Sequence, residues 1–315
     1  MTDHQRSIRF GAALILAALA LRLWAAARIP GTLLQLNTAA LAIYTETGRK
    51  VRFSLSDGEF ILDFAPESAV PVFSSKPDYS AGPLPRVQNT AGREADLEAL
   101  LAAPLVWDLR GEHAVLILST HTTESYTKKD ESYKESAGWR TLDGHYNMLS
   151  IGDRVEQLLT AAGIRVLRDR ELHDYPSYNG SYSHARASLE TILEAHPEIA
   201  LVLDLHRDAA DGPDGRQLRT LAGEGCAQLM VVLGSGFDRW QENLSLGLKL
   251  CAHLERQYPG LTRPLQLRRA TFNQDLSPGA LLVEVGAAGN SRAEALAAAE
   301  ELAKAVIALA GGTAN

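Results

Sequence analysis

The strongest constraint on the fold of this chain is an alternation of strand-like apolar runs with amphipathic helical segments, which begins near residue 112. Residues 115–118 and 199–205 are short apolar runs, whereas residues 147–162 carry apolar side chains at helical spacing. A further apolar run at residues 280–285 precedes a long alanine-rich helical segment. This pattern predicts an α/β fold with a mostly parallel mixed sheet flanked by helices.

The first 30 residues form a segment of a different kind. Arg6 and Arg9 precede an apolar stretch over residues 10–27 that only Arg22 interrupts. If Arg22 extends to the membrane surface, the stretch approaches the roughly 17–20 residues that a span requires; otherwise residues 25–27 supply the small side chains of a signal-peptide cleavage site. The basic residues favour a cytoplasmic N-terminus. We therefore expect an anchor in the cytoplasmic membrane, with the rest of the chain on the extracytoplasmic side.

Three regions follow this segment. Residues 31–65 contain runs in which apolar residues alternate, and they predict a small β-rich region. Residues 66–94 contain five prolines and interspersed serines, which predict an extended linker rather than a packed element. Residues 95–315 contain the α/β pattern and are long enough for one domain.

Composition and short motifs exclude several classes of protein. The chain has 38 acidic and 31 basic residues, for a formal charge of −7, so binding to nucleic acid is not expected. Cys226 and Cys251 lack the close spacing of a zinc ribbon, and we expect two buried thiols, with a single disulfide as the alternative if the domain is exported. Residues 234–236 (GSG) lack the third glycine and the lysine of nucleotide-binding loops.

Polar residues collect where the predicted strands end, which is where open α/β sheets bind their ligands. His121 and Glu124 follow the first apolar run, and His206 ends the middle one. Glu284 lies within the last run. Two histidines and two carboxylates are therefore expected to meet at one edge of the sheet.

These residue types are typical of a hydrolytic zinc site that contains no cysteine. Two histidines and one glutamate, with water as the fourth ligand, form an established catalytic arrangement, and His121, Glu124 and His206 would supply it. The H-x-x-E spacing is weak on its own, and its weight comes from its position at a strand end. Asp143, just ahead of a predicted helix, could replace Glu124, and the sequence does not decide between them. His145 and His173 are further candidate ligands.

Glu284 requires a partner, because a carboxylate among leucines and valines is costly to desolvate. Beside a zinc ion it would take a proton from activated water and pass it to the leaving amine. The alternative is a structural salt bridge to Arg186 or Arg207.

Other polar residues near the strand ends are candidates for substrate binding or for orienting the ligands, although ordinary solvated loop polarity would explain them equally well. They are Arg207, Asp208, Asn273, Gln274 and Asp275. The remaining histidines outside the strand ends, among them His184, His196 and His253, are expected to be structural or solvent-facing.

Four motifs in the same order give the chain a specific family resemblance. Residues 116–126 (LILSTHTTESY), 202–209 (VLDLHRDA), 272–278 (FNQDLSP) and 281–294 (LLVEVGAAGNSRAE) closely resemble the stage II sporulation protein P family. The resemblance covers about residues 112–310. It implies a fold similar to that of zinc N-acetylmuramoyl-L-alanine amidases and one N-terminal transmembrane segment.

The resemblance implies a peptidoglycan hydrolase that cuts the amide between the lactyl group of muramic acid and L-alanine, and also acts on stem-peptide cross-links. It implies a role in sporulation engulfment alongside stage II sporulation proteins D and M. By the same resemblance, His121, Glu124 and His206 correspond to the zinc ligands, and Glu284 to the catalytic acid of the E-V-G motif. The family often reads His-Thr-His where this chain has Ser119-Thr120-His121.

Two other functional classes remain open from the sequence. A non-catalytic protein that binds peptidoglycan or acts as a scaffold in the engulfment complex would have lost its metal site. A zinc carboxypeptidase shares the ligand types but needs an arginine for the free carboxylate of its substrate. Intact His121, Glu124, His206 and Glu284 favour an enzyme over a scaffold.

Overall fold

The computed structural model describes residues 43–44, 50–56, 59–64, 84–104, 109, 113–127, 139–210 and 217–310. The chain divides into two units, Met1–Ser68 and Ala69–Asn315, and each is described by itself. The predicted N-terminal membrane segment lies outside the described residues. Within them, no helix has both the length and the apolar character needed to cross a bilayer.

The first unit contains a three-stranded antiparallel sheet of β1 (Ile43–Tyr44), β2 (Lys50–Ser56) and β3 (Glu59–Phe64), in that order. Apolar residues occur at alternate positions along the sequences of β2 and β3. The register places Phe53 opposite Leu62. The two alternating runs of the sequence therefore pair with each other.

A seven-stranded mixed sheet forms the centre of the second unit. Its order is β4-β9-β8-β10-β7-β5-β6. The strands are β4 (Val87–Asn89), β5 (Ala114–Leu118), β6 (Arg165–Arg168), β7 (Ile199–Asp208), β8 (Leu229–Gly234), β9 (Leu265–Arg268) and β10 (Ala280–Ala287).

The direction of the strands decides where a site can form. Strands β6, β5, β7 and β10 are mutually parallel, whereas β8 runs antiparallel to β10. Strands β9 and β4 continue parallel to β8. The carboxyl ends of β5, β7 and β10 therefore meet at one edge of the sheet, where α/β folds bind their ligands.

In the described part of the second unit, five α-helices accompany the sheet: α1 (Leu97–Ala102), α2 (Met148–Ala161), α3 (Ser181–Ala195), α4 (Trp240–Gln257) and α5 (Arg292–Leu309). The side chain of Asn147 caps α2 by accepting a hydrogen bond from the backbone N–H of Leu149. Ser291 and Glu294 form a capping box at the start of α5. Both helices begin where the sequence supplies an acceptor for otherwise unpaired N–H groups.

Alternating side chains of the strands pack on opposite faces of the sheet. Val115 and Ile117 of β5 join the larger apolar core, which also receives α2, α4 and α5. Leu116 and Leu118 join a smaller core under α3. The predicted fold class, a mostly parallel mixed sheet flanked by helices, is confirmed.

The predicted linker over residues 66–94 was wrong at its C-terminal end, because Val87–Asn89 form strand β4 beside β9. Neither β4 nor β9 was predicted. Each is only three or four residues long, and β4 lies at the edge of the sheet. Backbone hydrogen bonds hold these strands in the sheet, and runs of three or four residues are too short to show the extended apolar alternation that reveals a longer strand.

Candidate metal centre

The loop after β5 brings His121 and Glu124 together. The backbone N–H of Glu124 donates to the carbonyl of His121 at 3.1 Å, which closes one turn. Nδ1 of His121 consequently lies 3.4 Å from Oε1 of Glu124. The hydroxyl of Tyr126 donates to the carbonyl of Val285 at 2.7 Å and ties this loop to β10.

Strand β7 supplies the second imidazole. Nδ1 of His206 lies 3.7 Å from Oε2 of Glu124, and the ring centroids of His121 and His206 are 4.9 Å apart. One ligand atom from each of the three residues lies within 4.8 Å of the others. Among the described residues, this is the one cluster of three or more histidine, cysteine or acidic side chains with such spacing.

The donor set fits a zinc ion. Two imidazole nitrogens and a carboxylate oxygen are ligands that zinc accepts at about 2.0–2.2 Å, so that neighbouring tetrahedral ligands lie roughly 3.3 Å apart. The observed separations of 3.4 Å and 3.7 Å are close to this value. All three side chains are largely shielded from solvent, because none is more than 11% exposed. Position 119 holds a serine in this chain, and the cluster of His121, Glu124 and His206 forms without a histidine there.

Glu124 stays ionised in this enclosed place because positive charge surrounds it. Burial by itself would raise its pKa, but the Arg207 guanidinium, the hydrogen bond from His121 and the charge of His206 lower the pKa to about 2. Arg207 is 2% exposed, and its backbone N–H also donates to Oε2 of Glu124. The carboxylate is therefore held in its metal-binding form.

Arg207 also ties two loops to the cluster. Its side chain donates to the carbonyls of Ser125 and Trp139, which lie on segments paired by backbone hydrogen bonds. Arg207 was predicted to bind substrate or to orient the ligands. In the structure its guanidinium lies 3.5 Å from the Glu124 carboxylate, so it contacts a candidate metal ligand directly.

Glu284 lies beside His206, because the two residues are register partners on the parallel strands β10 and β7. Its Oε2 atom is buried and has no hydrogen-bond partner among the residues that the structure describes. Burial raises the pKa of Glu284 to about 8, and the negative charge of Glu124 adds to the increase. A buried carboxyl oxygen without a partner is an acceptor available to a ligand.

The alternative structural explanation for Glu284 is not observed. Among the described residues, none forms an ion pair with Glu284. Arg186 instead forms an ion pair with Asp275, and Arg207 contacts Glu124.

The pKa of His206 is also raised, but by neighbouring negative charge and not by burial. Burial would lower its pKa, but the adjacent Asp204 carboxylate and the charge of Glu124 raise the pKa to about 9. Binding of a metal to Nδ1 of His206 must therefore displace a proton.

Aromatic residues around the cluster were not predicted from the sequence. The Tyr178 ring lies 4.7 Å from the His121 ring and is covered by the Arg140 guanidinium, 4.2 Å from the ring centroid. Tyr182 lies edge-on to His121 and nearly parallel to the His206 ring, and its burial raises its pKa. Both tyrosines come from residues 172–182, whose sequence contains no strand-end signal.

The alternative ligands lie outside the cluster. Asp143 is exposed and accepts a hydrogen bond from the backbone N–H of His145, which is also exposed. His173 is buried, but its Nε2 lies 2.9 Å from Asp169. The structure thus brings Glu124 to the two histidines and leaves Asp143, His145 and His173 elsewhere.

The remaining predicted polar residues have structural partners. Asp208 forms an ion pair with Arg263 at 2.6 Å. The side chain of Asn273 donates to the carbonyl of Tyr182, which positions that ring-bearing residue. Both polar side-chain atoms of Gln274 hydrogen-bond to the backbone of β8, so it has a clear structural role, and Asp275 pairs with Arg186.

Fold and site together define a class: an α/β domain with a mixed sheet and a His–Glu–His cluster at the carboxyl ends of its parallel strands. The chain belongs to the Stage II sporulation protein P (SpoIIP) family, whose model matches residues 86–307. The resemblance predicted from the four motifs is confirmed.

A curated relative is the Stage II sporulation protein P of Bacillus subtilis (strain 168), with 27% identity over 202 residues. The alignment covers 60% of this chain and about half, 49%, of that relative.

Two solved structures are similar to part of this chain, with low TM-scores. The N-acetylmuramoyl-L-alanine amidase AmiC2 of Nostoc punctiforme has 16% identity and a TM-score of 0.37, over 62% of this chain and 96% of that chain. The CwlD amidase from Clostridioides difficile, solved in complex with the GerS lipoprotein, has 12% identity and a TM-score of 0.39, over 63% of this chain and 95% of that chain.

Proposed function

We propose that this protein is a zinc-dependent peptidoglycan hydrolase that cleaves the amide between N-acetylmuramic acid and L-alanine. The observation that carries the proposal is the convergence of His121, Glu124 and His206 beside the unpartnered Oε2 of Glu284. Membership of the SpoIIP family supports peptidoglycan as the substrate and sporulation as the context. Cleavage of stem-peptide cross-links is a second activity that the resemblance suggests.

In this proposal, His121, Glu124 and His206 would hold the ion. A zinc ion bound there would supply Lewis-acid chemistry towards the scissile carbonyl and water, and its charge would favour the ionised form of Glu284. Glu284 accepts a proton from the attacking water while the water oxygen bonds to the amide carbon. The C–N bond then breaks, and Glu284 returns the proton to the nitrogen of the departing L-alanine.

Glu284 fits this proton-transfer role because of its surroundings. Burial raises its pKa to about 8, so it binds a proton more strongly than a solvated glutamate does. An acid or base works best when its pKa lies near the working pH. Arg207 and the hydrogen bond from His121 keep Glu124 ionised, so the two carboxyl groups have different roles.

The location of the protein follows from its substrate. We propose that the first 30 residues anchor the chain in the cytoplasmic membrane, with the α/β domain on the extracytoplasmic side, where peptidoglycan lies. The basic residues before the apolar stretch support this orientation. Stage II sporulation proteins D and M are the partners that the family resemblance suggests.

The test is mass spectrometry of muropeptides released from purified sacculi by the purified full chain with zinc. Free stem peptides, with the sugars left behind, are the expected products. Opened cross-links with the sugars still attached would identify an endopeptidase instead. Release of neither product by zinc-loaded protein would contradict the proposal and favour a non-catalytic scaffold. The Glu284→Gln variant is the matched control, because it removes the proton carrier without removing a ligand.

A further inference from the structure

One buried carboxylate contacts both histidine-bearing strand ends. Asp204 lies two residues before His206 on β7, so the two side chains point to the same face of the sheet. Oδ1 of Asp204 lies 2.9 Å from Nε2 of His206, an ion-pair contact between the carboxylate and the ring. Nε2 is buried, and within the described part of the chain no acceptor meets it with the full geometry of a hydrogen bond, so Asp204 is its close partner by distance and charge.

The same carboxylate also holds the end of β5. The backbone N–H of Thr120 donates to Oδ1 of Asp204 at 2.8 Å, and the Thr120 hydroxyl donates to Oδ2 at 2.7 Å. The register places Leu118 beside Asp204, so the chain leaves β5 directly over this carboxylate. Thr120 immediately precedes His121, and its position therefore determines where the His121 loop begins.

The contact with His206 also selects one ring nitrogen. A neutral imidazole carries its proton on one nitrogen and a lone pair on the other. With the proton on Nε2 facing Asp204, the lone pair lies on Nδ1, and Nδ1 is the atom that lies 3.7 Å from Glu124. A carboxylate placed beside the protonated nitrogen of a histidine ligand fixes the ring and increases its affinity for the metal.

We propose that Asp204 is the positioning residue of the metal centre: it orients His206 so that Nδ1 binds the ion and fixes Thr120 so that His121 meets it. The inference rests on the metal centre of the proposed function and adds a residue to it. Asp204 itself does not bind the ion.

The chain contains a matched control for this arrangement. Asp169 is also buried, and its Oδ2 lies 2.9 Å from Nε2 of His173. Asp169 likewise accepts from a hydroxyl, that of Ser188, and from a backbone N–H, that of Glu171. This second pair has the same chemistry, but His173 does not belong to the metal cluster. Asp169→Asn should therefore alter stability without altering zinc affinity.

The first measurement is zinc affinity of the full chain by competition with a chromophoric chelator. Asp204→Asn should weaken zinc binding about 10- to 100-fold, which is the usual effect of losing such a partner. Asp169→Asn should bind zinc like the wild type. Thr120→Val removes only the hydroxyl and keeps the backbone N–H, so it should fold and lose a smaller factor. Wild-type zinc affinity in Asp204→Asn would overturn the inference.

The second measurement identifies the bound nitrogen. Protein labelled with ¹⁵N-histidine and loaded with ¹¹³Cd should show metal coupling to Nδ1 of His206 and a slowly exchanging proton on its Nε2. That proton should exchange faster in Asp204→Asn and remain unchanged in Asp169→Asn. Coupling to Nε2 in the wild type would overturn the inference.

The two proposals fail in different ways. If the wild type binds no zinc, or binds it without cleaving sacculi, the proposed function fails. If the wild type binds zinc and cleaves while Asp204→Asn has unchanged zinc affinity, only the positioning role fails.

Discussion

Replacing Glu284 by glutamine removes a charge from the metal centre at almost constant volume. Oε2 of Glu284 is enclosed and unpartnered, and burial raises the pKa of this carboxyl group to about 8 from an ordinary 4.5. The metal-free protein consequently has to keep a proton on Glu284 at neutral pH or bear the cost of an unpaired charge. Glutamine removes both requirements.

The size of the effect follows from the two pKa values. Their difference corresponds to roughly 5 kcal/mol at about 1.4 kcal/mol for each pH unit, and we expect about 2–4 kcal/mol because solvent reaches part of the residue. A carboxyl whose pKa is higher in the folded state stabilises the fold fully below pH 4.5 and loses that contribution as the pH rises through 8. The stability of Glu284→Gln relative to the wild type should therefore increase with pH and level off above about pH 8.

The assay is urea unfolding of both proteins without metal, in a chelator, at several pH values from 5 to about 9. Glu255→Gln is a control of opposite sign, because hydrogen bonds from Thr262 and Gly260 outweigh burial and lower the pKa of Glu255. That variant should be less stable than the wild type at neutral pH. A difference between Glu284→Gln and wild type that stays constant with pH would refute the reasoning.

The same variant tests the chemistry. Glu284→Gln should retain zinc at the wild-type stoichiometry, measured by atomic emission, because Glu284 is not among the three clustered ligands. Its release of stem peptides should fall by about 10²- to 10⁴-fold, the usual contribution of a positioned acid or base. Release at the wild-type rate would remove Glu284 from the mechanism.

Three further predictions concern other parts of the molecule. His121→Ala and His206→Ala should each lose bound zinc by atomic emission while His253→Ala keeps it, and full zinc occupancy in either of the first two would show that the ligand set is wrong. Burial lowers the pKa of Lys249 to about 8 from an ordinary 10.5. The free energy of unfolding of the wild type should therefore increase relative to that of Lys249→Met as the pH rises from 8 towards 10.5, and parallel pH profiles would contradict this. Leu203→Ala should cost about 2–5 kcal/mol in urea unfolding, because Leu203 is completely buried in the central strand β7, and a loss below 1 kcal/mol would be too small for that position.

Much of the fold could be predicted because its central strands are fully buried. The runs that became β5, β7 and β10 are continuous stretches of leucine, valine and isoleucine, and the capping residues Asn147 and Ser291 mark where two helices begin. The short strands β4, at the edge of the sheet, and β9, beside it, were not predicted. Their pairing depends on backbone hydrogen bonds to neighbours that are distant in the sequence, and runs of three or four residues are too short to reveal it.

The candidate ligands could be placed at the sheet edge because parallel strands bring their carboxyl ends together. The sequence could not decide between Glu124 and Asp143 as the third ligand. Glu124 follows a predicted strand and Asp143 precedes a predicted helix, and the sequence predicts both elements equally well. Asp143 instead accepts a local backbone hydrogen bond at the surface. Tyr178, in the loop before α3, and Tyr182, in the first turn of α3, were missed because the path of that loop, which brings both rings to the cluster, is not determined by the sequence.

The central claim is that side chains from two separate strand ends bind one ion. Crystallographic anomalous diffraction at the zinc edge, on crystals of the zinc-loaded full chain, tests it most directly. One zinc peak should lie about 2.0–2.2 Å from a nitrogen of His121, an oxygen of Glu124 and Nδ1 of His206. Zinc bound elsewhere at full occupancy, with the two imidazoles free of metal, would contradict the account.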